Sequence, residues 1–364
     1  MWFSGIATLQ RAREFNFKHL GPKGRAVWDR APTAPYGFGP LKIDPHMFAY
    51  AAARSSIVGK KLGLRGQIAG LGLASAALSY LKKPPSGELF LHHNFPLLKD
   101  FVGTSLTGTI GAAIAYLEML DLGYVWHGHW EDCVKSGSVA AHPDFIFAKP
   151  SAICLVDAKG TTTSADSTAK QEWYRQIYKN RAVQMKFGGT ANEGRVIATV
   201  LSATDPGVLV TAYGNWLAKG QQGAKTTSHP KAISSVQRAN FIDAFFLVGL
   251  ANLAWKLVGS NNPGPLDQGS TRLLSIRGEQ VYVGPIRLTL TIDDEQWVMQ
   301  PFCRKTIVDE VIRCIGNDEG FPMQSAVREG GLKITHLDNL SATFIDGPDG
   351  VGAIFRLVKF PPFL

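Results

Sequence analysis

Between residues 142 and 160 the chain carries two short apolar runs, His142-Pro143-Asp144-Phe145-Ile146-Phe147 and Ile153-Cys154-Leu155-Val156-Asp157-Ala158-Lys159-Gly160. They read as a pair of strands. On the second, Asp157 and Lys159 stand two residues apart and so project from one face. Charges at the end of an apolar strand are penalised by burial, and mutual pairing offsets only part of that penalty. A divalent metal accounts for the pattern, with Asp144 and Asp157 supplying hard carboxylate oxygens.

The surrounding chain has a definite order. Thr104 to Leu122 reads as a helix with Ile110, Ala113, Ile114, Leu117 and Leu120 on one stripe, closed by Gly123. Tyr124 to Cys133 reads as a strand, and the Asp144 and Asp157 strands follow, joined through Lys149-Pro150-Ser151. Beyond a Thr/Ser loop, with Ser167 or Thr168 as N-cap, a second helix is expected from about Ala169 to Met185. Arg195 to Ser202 is β-branched and apolar, a buried strand. The succession is αβββαβ.

Pro143-Asp144 followed by Asp157-x-Lys159, set in that succession, resembles the PD-(D/E)xK nuclease superfamily. The resemblance covers residues 104–202. It implies an α/β fold with a restriction-endonuclease-like αβββαβ core and metal-dependent hydrolysis of phosphodiester bonds, with DNA as substrate. Mg²⁺ (or Mn²⁺) would sit on Asp144 and Asp157, and Lys159 would steady the attacking hydroxide or the phosphorus centre. The family often adds a glutamate from the first helix. Glu118 is the nearest candidate metal ligand, but it lies near the helix end, and the position expected for the acid falls near Ala112. Glu131 or Asp132 could substitute from the preceding strand. In the second helix the family places a polar residue facing the site with a tyrosine one turn on. Lys170, Gln171 and Tyr174 match this loosely, and Gln171 is expected to position water or phosphate.

The formal charge of +9 points to a polyanionic partner, nucleic acid before an anionic membrane. Lys170, Arg175 and Lys179 on the second helix, and His142 beside Asp144, are the expected contacts. A hydrophobic content of 45% with 18% charged residues excludes a disordered chain. Two apolar stretches, Gln67 to Leu81 and Ala239 to Trp255, fall short of the ~20 residues of a membrane span and read as buried helices. Four cysteines without paired spacing suit a reducing compartment, the cytoplasm, and the start of the chain lacks the order of a secretory signal. His127, His129, Cys133 and His142 form a rival zinc constellation, with spacing unlike common zinc modules.

Residues 1–100 are expected to form a basic, partly helical region in which aromatic and basic residues interleave, as suits stacking on bases. Residues 101–258 hold the core and following helices, including a helix near Gly207 to Ala218 and a long apolar helix ending at Val258. Residues 271–364 read as an α+β module. A protein partner or a second copy of the chain fits this organisation. The competing expectation is a non-catalytic nucleic-acid-binding or scaffold subunit, suggested by the missing acid near Ala112.

Overall fold

The computed structural model describes residues 5–30, 39–56, 70–135, 141–163, 165–216, 230–259, 271–276, 278–285, 287–292, 294–315, 331–337 and 341–358. In chain order the elements of the first part are β1 (Ala7–Leu20), β2 (Ala26–Arg30), β3 (Leu41–Ile43), α1 (Pro45–Ser55), α2 (70–79), the short pair β4 (Leu81–Lys82) and β5 (Phe90–Leu91), and α3 (Asp100–Asp121). Then come β6 (Trp126–His129), the single turn α4 (Trp130–Cys133), β7 (Phe145–Lys149), β8 (Ala152–Thr161), α5 (Asp166–Glu172), β9 (Glu193–Val200), β10 (Val208–Asn215), α6 (Pro230–Val248) and α7 (Ala251–Val258). The fold is mixed α/β.

The central sheet runs β2-β1-β10-β9-β8-β7-β6, with β3 also on β1. Contacts β8–β9 and β1–β10 are parallel, and the other pairings are antiparallel. Within 100–200 the order is α3, β6, β7, β8, α5, β9, so helix, three strands, helix and strand follow as the periodicity predicts. Boundaries differ. The strand expected from Tyr124 to Cys133 stops at His129, where a helical turn begins. The second helix is α5 continued by a π-helical segment, Trp173–Ile177, and a 3-10 turn, Tyr178–Asn180. The apolar helix ending at Val258 is broken at Gly249, whose φ of +86° closes α6 before α7 starts.

Two expectations are corrected by the sheet. The predicted helix at 207–218 is β10. Val208, Leu209, Val210, Thr211 and Ala212 form a strand covered on both faces, and such a run has no period to separate it from a buried helix. The basic start of the chain is also strand: β1 pairs in parallel with β10, so the sheet crosses the boundary expected near residue 100. Its arginines hid it. Arg11 and Glu14 interrupt the apolar alternation, yet both are buried, answered by Glu118 and Arg195 respectively.

Strand parity divides the core. Cys154, Val156 and Ile197 face α3 and α1, whereas Ile153, Leu155, Val196 and Ala198 face α5 and α6. On the first face α3 sits hard against β8. A Cβ on Gly160 would lie 1.9 Å from the Thr107 carbonyl oxygen, and one on Gly111 would lie 2.5 Å from the Gly160 nitrogen. Gly160→Ala is therefore expected to lose about 1–3 kcal/mol or more by overpacking, measured as a lower urea midpoint. A variant as stable as the parent would refute the close approach.

A second sheet follows, with β11 (Arg272–Ile276), β12 (Glu279–Val283), β13 (Leu288–Ile292), β14 (Glu295–Arg304), β15 (Lys333–Leu337), β16 (Ala342–Asp346) and β17 (Val351–Leu357), and helix α8 (Lys305–Cys314) after β14. Its strand order is β11-β12-β14-β17-β16-β15, with β13 on β14. Met299, Ile345, Ala353 and Phe355 share one apolar cluster with Phe48 and Tyr50 of α1. Among the described residues no helix is long and apolar enough to cross a membrane; Gln67, Ile68 and Ala69 of the first apolar stretch lie outside them.

Candidate active site

The last β7–β8 pairing is Phe145 with Val156, so beyond Val156 the β8 backbone has no strand partner on that side. Asp144 fills this gap. Pro143 has no N–H to offer a ladder, and the residue after it turns its carboxylate onto β8, where Asp144 Oδ2 accepts the Ala158 amide at 2.9 Å. A side chain thus replaces a sheet hydrogen bond and is fixed beside Asp157. Lys159 Nζ donates to Asp157 Oδ1 at 2.8 Å and lies 3.9 Å from Asp144 Oδ2. The three predicted residues converge.

Their environments differ in a chemically useful way. The Asp157 side chain is 0% exposed, and Asp144 is 43% exposed. Asp157 Oδ2 is buried and has no hydrogen-bond partner among the described residues. Burial, with the charge of Asp144 second, pushes the Asp157 carboxyl up to about 8 against the pull of Lys159. Burial disfavours the Lys159 ammonium, but Asp157 and Asp144 outweigh it and raise its pKa. A buried carboxylate oxygen without a donor, next to a solvent-facing carboxylate, is a donor set suited to a small hard cation, which binds proteins through one or two carboxylates. Among the described residues no cluster of three or more His, Cys, Asp or Glu side chains is arranged for a metal.

Glu118 does not join the pair. Asp157 follows the parity of Leu155 and faces α5, while Glu118 projects from α3 on the opposite side of the sheet. Its carboxylate is 1% exposed and receives Arg11 Nε and Nη2 at 2.8–3.0 Å. Burial raises its pKa, with Arg11 opposing. Glu118→Gln should accordingly cost about 1–3 kcal/mol of stability through the weakened charged hydrogen bonds. It should leave Mg²⁺ affinity by titration calorimetry unchanged, and a tenfold weaker affinity would return Glu118 to the site.

The second helix contributes different residues from those expected. Gln171 is solvent-exposed on the outer side of α5, in line with Arg175 and Lys179 of the segments that continue it. Glu172 and Gln176 occupy the inner stripe instead. Gln176 Nε2 donates to Glu172 Oε2 at 3.2 Å, Arg175 Nη2 donates to the same oxygen at 2.8 Å, and the Glu172 charge is felt by both Asp157 and Lys159. The signal was present in the sequence. Ala169, Trp173 and Ile177 define the buried stripe, and positions 172 and 176 flank it at helical spacing. Trp173 seats this helix: its Nε1 donates to the Gly194 carbonyl, and a Cβ on Gly214 would meet its ring at 2.3 Å.

The remaining predicted residues lie around this centre. His142 stacks on Trp130 with centroids 5.6 Å apart and planes 4° from parallel. Lys170 Nζ lies 3.7 Å from the Phe15 ring centroid, and Lys179 Nζ lies 5.6 Å from that of Tyr174. The zinc constellation does not assemble among the described residues: His127, His129, Cys133 and His142 form no metal-holding group, and His127 Nδ1 is instead 3.0 Å from Asn240 Oδ1. Glu131 is exposed at the start of the α4 turn, and Asp132 is buried there. A cleft of about 780 Å³ opens by the C-terminal end of α3, lined by Arg11, Lys42, Asp44, Asp121 and His336 among others, and excludes all three central residues. Comparison with known protein families, with characterised proteins and with solved structures finds no match.

Proposed function

We propose that the chain is a metal-dependent nuclease that hydrolyses phosphodiester bonds of DNA on a restriction-endonuclease-like core. The observation that carries this reading is the convergence of Asp144, Asp157 and Lys159 where β7 ends its pairing with β8. The α3-β6-β7-β8-α5-β9 succession supports it, as does the basic charge.

Asp144 and Asp157 are the residues that would hold Mg²⁺ or Mn²⁺, which when bound supplies a water of lowered pKa and offsets charge on the phosphoryl oxygens. Hydrolysis forms a P–O bond to the water oxygen and breaks the P–O bond to one sugar oxygen, which takes up a proton. Lys159 brings a fixed positive charge to the place where negative charge develops, and the two carboxylates hold it there. Glu172 and Gln176 border the same carboxylate from α5 and fix its surroundings. The four free thiols fit a reducing compartment, and we assign the chain to the cytoplasm on that ground.

A second reading, a binding or scaffold subunit that does not cut, is favoured by one observation: the acid of the first helix is committed to Arg11. Supercoiled plasmid incubated with Mg²⁺ or Mn²⁺, and in parallel with EDTA, separates the two. Nicking that depends on the ion supports the nuclease. Salt-sensitive binding with an intact plasmid supports the scaffold.

A further inference from the structure

The π-helical segment after α5 carries a column of aromatic rings over the β1–β2 end of the sheet, on the same helix that brings Glu172 to the proposed catalytic centre. Phe17 of β1 and Trp28 of β2 close on Trp173, with centroid distances of 4.5 Å and 5.1 Å. Tyr178 packs on Phe17 and Trp173 at 5.4 Å and 5.7 Å. Tyr174 then stacks on Tyr178, 5.7 Å away with planes 14° from parallel. Arg181 lies 3.8 Å over the Tyr178 ring, and Lys179 flanks Tyr174.

The column grades from buried to open. Trp173 is fully buried, Phe17, Trp28, Tyr178 and Tyr174 are half-buried, and Arg175 and Lys179 are exposed. Tyr174 is its outer member: among the described residues its ring-stacking and cation–π partners are Tyr178 and Lys179. Between residues 166 and 181 four basic side chains accompany two acidic ones, so the ridge carries a cationic excess. π-helical turns recur at functional sites because the extra residue re-aims side chains. Here the segment follows directly on Glu172, which borders Asp157, and contains Tyr174, the first ring of the Tyr174–Tyr178 stack.

Stacked aromatics flanked by guanidinium and ammonium groups suit a strand whose bases are unpaired, since rings need an exposed base face and cations follow phosphates. A duplex keeps its base faces covered. We infer that the ridge formed by Tyr174, Tyr178, Lys179 and Arg181 binds single-stranded DNA. The inference rests on the nuclease reading for its substrate, and binding tests it apart from cleavage.

The experiment is equilibrium anisotropy of a labelled oligodeoxythymidylate and of a duplex, both in EDTA so that nothing is cut. Tyr174→Ala is expected to weaken single-strand binding about 5- to 150-fold, the worth of one stacked base. It should change duplex binding by less than about threefold, and Tyr174→Phe, which keeps the ring, should retain nearly full affinity. Lys179→Gln, an exposed change with no bearing on folding, should lower the salt slope for the single strand by about 0.7. Unchanged single-strand affinity in Tyr174→Ala, or equal loss for strand and duplex, overturns the proposal. Tighter binding of the matching oligoribonucleotide overturns the assignment to DNA. If the binding pattern holds while plasmid and oligodeoxythymidylate both stay intact in Mg²⁺ and in Mn²⁺, the ridge stands and the nuclease reading falls.

Discussion

Asp157→Asn is expected to lower metal-dependent plasmid nicking by at least about 10³-fold, because the charge stabilisation it anchors is worth several kcal/mol and each 1.36 kcal/mol is tenfold. Lys159→Ala should cost about 10²–10³-fold, the usual loss when one fixed electrostatic donor is removed from a reacting centre. Stability should move differently. Asp157 Oδ2 is a buried oxygen without a hydrogen-bond partner among the described residues, and burial keeps the metal-free carboxyl protonated below about pH 8, so at neutral pH Asp157→Asn removes no buried charge. Loss of cutting with an undiminished melting temperature in EDTA is the signature of a functional carboxylate. Full activity in either variant would remove the proposed centre.

The same residue sets a pH dependence for the metal-free chain. The folded state holds the Asp157 proton up to about pH 8, and the ordinary carboxyl releases it near 3.8. Between those values the native state binds more protons than the unfolded state, so stability is fullest below the lower value and falls as pH rises toward 8. Urea unfolding in EDTA at acid and at mildly alkaline pH should show this fall, and Asp157→Asn should flatten it.

Asp349→Ala is expected to destabilise the fold by roughly 3–5 kcal/mol, since it strands a buried guanidinium. Arg54 of α1 and Asp349 of the β16–β17 turn are each 1% exposed and meet at 2.8 Å. Asn240 of α6 joins both: it accepts from Arg54 at 2.8 Å and donates to Asp349 at 2.9 Å, and the Val351 amide donates to the second Asp349 oxygen at 3.1 Å. One network therefore ties the second sheet to the helices that cover the first. Asp349→Asn, which can keep the hydrogen bonds, should lose less than Asp349→Ala. Urea midpoints read both, and a loss below about 0.5 kcal/mol, the scale of ordinary surface changes, would show that the two sheets are joined by apolar packing alone.

The elements legible in advance were those with a local signature. The α3 stripe ending at Gly123, the two apolar strands around Lys149-Pro150-Ser151 and the β9 run all carry their own period or breakers. β10 reads as a helix in the sequence because a strand buried on both faces has no alternation. β1 is hidden in the sequence because Arg11 and Glu14 look solvent-bound until Glu118 and Arg195 are brought to them from distant parts of the chain. Glu172 flanks a stripe that the sequence shows, and Glu118, the candidate metal ligand, lies across the sheet from Asp157 with Arg11.

Parity is a property of two neighbouring peptide units, so the sequence by itself determined that Asp157 and Lys159 share a face, and Pro143 marked where Asp144 could enter. Which helix covers that face depends on how α3 and α5 are distributed across the sheet, a result of packing that involves β1, β9 and β10 together. Tertiary structure alone decided that Glu118 is Arg11's partner, that Glu172 borders the carboxylates, and that the rings of β1, β2 and α5 meet. Those pairings join residues far apart in the chain, and burial rather than local propensity selects them.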